Sequence, residues 1–244
     1  MPVVKPFLPL KQARFGEKEG EFFWDFEEHS IRTVMLGKGV RIISGLRSAM
    51  LLADNGYVTE CMTILRVVDE CISEIGFLVE GCGAKEPLKE HVEFVRQYFL
   101  PMPMTSEEHA KMPKQKWVKR EDIQSGFLRL SDSVLKEVDL DTDKVKRSMK
   151  FVTYTFDKYV HAGYLTTVEL YSGKTKRFML GGHEGSEERT YAKQMVASKL
   201  HNSMGAFAHV SRLFGDEKAM WNFKMGGMAL YESGEIPVLE SSPS

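Results

Sequence analysis

Asp157 and His161 stand four residues apart, and Lys150, Tyr154 and Tyr164 fall on the same side of any helix that carries them. A carboxylate one turn from an imidazole can hold the ring in a single tautomer, as a histidine general acid or base near neutral pH requires. Arg66 and Glu70 repeat the one-turn spacing earlier in the chain, with Asp69 and Glu74 beside them. Surface pairing explains these adequately. We take His161 and Asp157 as candidate catalytic residues, and Tyr154, Tyr164 and Lys150 as candidate ligand contacts. The plainer alternative for each pair is an exposed i,i+4 contact worth a few tenths of a kcal/mol.

Two further groupings are weaker. The run Lys114-Gln-Lys-Trp-Val-Lys-Arg120 places a tryptophan among four cations, a composition suited to a nucleic-acid backbone with one stacked base, or to a solvated loop. His201, Gly205, His209 and Arg212 share one broad helical face. The two histidines are separated by about 12 Å of helix rise, too far to ligate one metal.

Several familiar signatures fail. Ser172-Gly-Lys-Thr175 carries the end of a phosphate loop, yet the position for its first glycine is Val168, and the segment follows a helical pattern rather than a strand. It reads as a turn. None of the seven histidines has a glutamate three residues before it, which argues against a di-iron bundle. The metalloprotease, paired-cysteine zinc and nucleophile-elbow patterns are also missing. Cys61, Cys71 and Cys82 are odd in number and match no disulfide or zinc spacing, so they read as reduced core thiols. No cofactor and no metal is expected.

The elements that would position these residues are helical. Ile31, Val34, Met35, Ile42, Leu46, Ala49, Met50 and Ala53 recur at helical spacing and stop at Asn55-Gly56, a left-handed cap signal. A second helix runs from about Thr59 to Glu80, and a third from about Lys85 to the prolines at 101 and 103. Pro101 to Arg120 reads as a loop. A fourth helix centres on Ile123 to Val138, and a long fifth one, capped by Asp141 or Thr142, extends to Tyr171. A glycine-rich loop or small hairpin precedes a sixth helix from about Glu187 to Phe214, and Trp221 to Tyr231 adds a turn or two. The expectation is an all-α antiparallel bundle of about six helices. It comprises an N-terminal extension over 1–26, one helical domain over 27–231 and a loose tail over 232–244.

Composition narrows the function classes. The 244 residues hold 33 basic and 34 acidic side chains, a net charge of −1, so any binding to nucleic acid must use a local patch and not a global field. No apolar run is long enough for a signal peptide or a membrane span, and the expected location is the cytoplasm, with no membrane partner.

The segments Leu65-Arg-Val-Val-Asp-Glu70 and Phe156-Asp-Lys-Tyr-Val-His-Ala-Gly163 resemble an uncharacterised bacterial all-α family related to HEPN domains. In that family an arginine followed one turn later by a glutamate sits on an early helix, and a histidine followed by small residues sits on a later one. Arg66, Glu70 and His161 match these positions, and the resemblance implies that Arg66 and Glu70 are catalytic candidates too, Arg66 reaching a phosphate and Glu70 positioning it. The resemblance implies a HEPN-like bundle over about residues 40 to 215 that binds RNA or a nucleotide. Many HEPN proteins are metal-independent ribonucleases with arginine, four to six residues, then histidine. Here the eligible positions before His161 are Tyr154, Thr155 and Phe156, none cationic, while Arg177 and His183 have the spacing but lie in the glycine-rich loop. Two other readings stand beside this one. The protein is a non-catalytic interaction protein, dimeric through a helix face, or a bundle with a small-molecule cleft among Tyr154, Tyr159, Tyr164 and Trp117.

Overall fold

Helix α2, Val58–Gly83, buries side chains on nearly every side of its cylinder, Cys61, Met62, Leu65, Arg66 and Val68 within its first three turns. A helix buried all round must be surrounded by others. The computed structural model supplies that surround; it describes residues 10–14, 22–83, 87–100, 106, 110, 117–137, 142–161, 163–182 and 187–234. Helix α1 (Ile31–Asp54), α4 (Arg120–Glu137), α5 (Thr142–Val160) and α7 (Glu187–Leu213) all pack on α2. Helix α3 (Lys89–Tyr98) leans on α1 and α2, and α8 (Glu217–Glu232) packs along α7. The chain is an all-α bundle. Its core runs through Met35, Ile42 and Ala49 of α1, Leu65, Val68 and Ile75 of α2, Phe94, Phe156 and Val196.

Local chemistry accounts for most boundaries. Ser30 caps α1, its hydroxyl accepting from the Thr33 amide at 3.4 Å. Gly56 follows α1 with φ of 77°, as the Asn-Gly signal predicts. Asp216 caps α8 by accepting from the Ala219 amide at 2.9 Å. All three cysteines are free thiols, Cys61 and Cys71 buried and Cys82 half-buried.

Two expectations are corrected. The fifth helix does not reach Tyr171: it ends at Val160, and a short helix α6, Tyr164–Val168, follows. The break falls at Gly163, whose N–H donates to the Lys158 carbonyl at 2.8 Å, while the Thr166 hydroxyl donates to the Gly163 carbonyl at 2.8 Å. Those bonds close the end of α5 and open α6. Ahead of the helices, strand β2 (Phe22–Phe26) pairs antiparallel with β1 (Leu10–Arg14). The segment around Trp221 is a full helix of 16 residues, not a turn or two.

The Ser172-Gly-Lys-Thr175 segment is a turn. It joins β3 (Tyr171–Ser172) to β4 (Arg177–Phe178), and the Lys176 amide donates to the Ser172 carbonyl at 2.8 Å. Lys114, His183 and the expected tail beyond residue 234 lie outside the described residues. Among the described residues, no helix is long and apolar enough to cross a membrane.

Candidate functional site

The central position of α2 decides what happens to its charges. Asp69, Glu70, Glu74 and Glu80 succeed one another around the helix, and each meets a cation from a neighbouring element. Lys199 of α7 donates to Asp69 at 2.5 Å, Lys38 of α1 lies 2.6 Å from Glu74, and Arg129 of α4 forks onto Glu80 at 2.6 and 3.0 Å. Desolvation pushes the Glu74 carboxyl above its ordinary value despite Lys38.

Arg66 carries the one cation among these charged residues of α2, and it is buried rather than turned to solvent as its helical position suggests. Its Nε donates to Asp157 Oδ1 of α5 at 2.8 Å, and its Nη2 lies 2.7 Å from Glu70 Oε1. The second guanidinium nitrogen, Nη1, is buried with no hydrogen-bond partner among the described residues. Above this pair lies Arg120, the first residue of α4, with Nη2 3.6 Å from Glu70 and Nη1 3.8 Å from Asp157. Two guanidinium groups and two carboxylates therefore alternate around a square, and their formal charges cancel.

The backbone explains how Arg120 arrives there. Gln97 of α3 accepts from the Val118 amide at 3.1 Å and donates to Glu93 at 2.8 Å, which fixes the segment entering α4. Helices α4 and α5 then run antiparallel, since Arg120 faces Asp157 and Gln124 donates to Thr153 at 3.3 Å one turn further in. The opposite direction leads to the end of the bundle, where Trp117 and His161 stand.

Arg66, Glu70 and Asp157 thus converge. Asp157 is engaged by two arginines, and no hydrogen bond joins it to the His161 ring, whose backbone N–H donates to the Asp157 carbonyl at 3.0 Å. His161 is exposed in the turn after α5. Tyr154 is exposed on α5 with Lys158 Nζ 4.5 Å over its ring, and Tyr164 is exposed at the start of α6. Lys150 lies elsewhere, lining a shallow recess of about 190 Å³ between α4 and α5. Arg177 is exposed on β4.

Reading by helical face misses Arg120, Lys199 and Lys38. Arg120 carried a signal, since it closes the basic run. Lys199 carried one as well, a lysine among Val196, Leu200 and Ser203 on the inward side of α7. No family model, curated protein or solved structure matches this chain.

Proposed function

We propose that this protein is a HEPN-like helical bundle that binds RNA or a nucleotide through a phosphate. Arg120 reaches the ligand and Arg66 holds the site together. The observation that carries this reading is the unequal grip on the two arginines. Arg66 is buried and fixed at 2.8 and 2.7 Å, whereas Arg120 is about a third exposed and touches the same carboxylates only at 3.6 and 3.8 Å. A guanidinium held so loosely can turn to an incoming phosphate and donate two parallel hydrogen bonds. Glu70 and Asp157 keep their bonds to Arg66 when it does, and the phosphate takes over the Arg120 charge. Trp117, exposed at the same end, offers a face for one base, and the exposed Lys119 a second cation. Cleavage would require His161 to move a proton within reach of that phosphate, with a partner to set its tautomer. Asp157 is committed to the arginines, so binding without cleavage is the activity proposed.

Fluorescence anisotropy with a labelled single-stranded RNA, at two salt concentrations, tests this. Arg120→Ala should weaken binding about tenfold and lower the salt slope by about one, with an unchanged melting temperature. Equal affinity of wild type and variant at matched salt, or no binding by wild type at low salt, sinks the proposal.

A second reading, an interaction protein that pairs with its own copy, has one observation in its favour. Val40, Ile43 and Leu51 of α1 are 68%, 49% and 65% exposed along one side of the helix. A sedimentation mass of two chains without RNA binding would favour it.

A further inference from the structure

Helices α5 and α7 both lie against α2 but have few contacts or none with each other. The wedge between them is an open cleft of about 730 Å³, closed at one end by α4. It is separate from the arginine square and shares none of its four residues. The volume lies within the range of small-molecule sites, roughly 300–1,000 Å³.

The lining has a consistent chemistry. Its floor is apolar, from Ile72 and Val79 of α2, Phe127 of α4, and Met149 and Val152 of α5. On the α7 side Gly205 leaves a gap, where a Cβ would meet no atom of the described residues within 4 Å. The two lysines stand at opposite ends, since Phe156, which Lys199 overlies, is about 18 Å of helix rise from Lys144 on α5. Lys199, only 5% exposed, uses one of its three N–H bonds on Asp69 and lies 5.2 Å over the Phe156 ring, while Lys144 stands exposed on α5. His201 and His209 follow on α7. The His201 Nδ1 sits 3.0 Å from the Gly227 carbonyl, which can only accept, so Nδ1 carries the proton and Nε2 is left for a further partner. Against two lysines the cleft offers one carboxylate, already paired.

We propose that this cleft binds a small amphipathic carboxylate, its apolar chain along α2 and α5 and its carboxylate at the end where Lys144 and His209 stand. The alternating residues Asn202, Gly205 and His209 give α7 a groove in place of a ridge, so a chain can lie where side chains would otherwise interlock. Burial, with the charges of Lys224 and Arg212, holds the His209 imidazole below its ordinary value. A carboxylate placed beside it would raise that value again, so uptake of the ligand should be accompanied by uptake of protons near neutral pH.

The probe is dodecanoate, below its micelle concentration, titrated calorimetrically into the full chain, with dodecanol as the uncharged control. Saturable one-to-one binding of dodecanoate, at least tenfold tighter than dodecanol, is the expected result. Gly205→Leu should abolish it by filling the cleft while leaving the melting temperature equal or higher. Lys144→Glu should weaken dodecanoate about fivefold and leave dodecanol unaffected, and it keeps the test decisive if Gly205→Leu fails to fold. No binding by wild type, undiminished binding by Gly205→Leu, or equal affinity for acid and alcohol each overturns the proposal. RNA binding at Arg120 is unaffected by Gly205→Leu, so this proposal and the previous one fail separately.

Discussion

Arg66 shows how a single side chain changes meaning with its surroundings. As an exposed i,i+4 partner of Glu70 it would be worth a few tenths of a kcal/mol. Buried and shared with Asp157, it ties α2 to α5, and its loss would leave two half-exposed carboxylates with only the loosely held Arg120 between them. Arg66→Ala should cost about 2 kcal/mol, less than for a fully buried pair because water reaches both carboxylates. In a chain of this size that lowers the melting temperature by roughly 4–8 °C. Arg66→Lys should recover little of it, because an ammonium cannot fork between the two acids. His161→Ala, in the exposed turn, should melt with wild type. Thermal unfolding followed by circular dichroism distinguishes these outcomes, and a stable Arg66→Ala would remove the tie from the account.

At the scale of elements, the close approach of α2 and α3 depends on a residue that looks like a helix terminator. Gly81 lies inside α2, not after it, and a Cβ there would come within 2.6 Å of the His91 ring carbons. That ring has nowhere to go: it is fully buried and stacked on Phe77 with centroids 4.2 Å apart. Gly81→Ala should therefore destabilise by about 1–3 kcal/mol despite alanine's better helix propensity. At Gly83 nothing lies within 4 Å of a Cβ, so Gly83→Ala is the matched control and should be near neutral. Chemical denaturation of the two variants checks the contrast. Equal stability would mean that α3 can retreat from α2 at little cost.

For the molecule as a whole, the near-zero net charge conceals an ordered arrangement, with acidic residues on the central helix and their cations on the helices around it. The region around α7 and α8 is different. There His209 faces Lys224 of α8 and Arg212 of its own helix, and burial and those two charges keep it neutral below its ordinary 6.5. The unfolded imidazole takes up a proton first, so stability should fall as pH drops from about 7 through that range, and stop falling below the folded value. His209→Gln should flatten this limb of the stability curve between about pH 7 and 5, measured by urea unfolding at each pH. An unchanged limb would place the titration elsewhere.

The amino-acid sequence by itself determined the helices, because their apolar spacing, caps and terminators act over a few residues. The bounds of α7 and the left-handed turn at Gly56 were legible from that local chemistry, though not that Lys199 faces inward. It also determined which residues could pair one turn apart, and Arg66 with Glu70 is such a pair. What it left open depends on distances through space. Whether α2 is surrounded decides that Arg66 is buried, and the crossing of α4 over α2 decides that Arg120, 54 positions on from Arg66 in the chain, joins it. Asp157 had two options, His161 one turn along its own helix or a cation across the bundle. The tertiary structure chose Arg66, because a buried Nε–H left unpaired beside Glu70 is costlier than an exposed imidazole left to water.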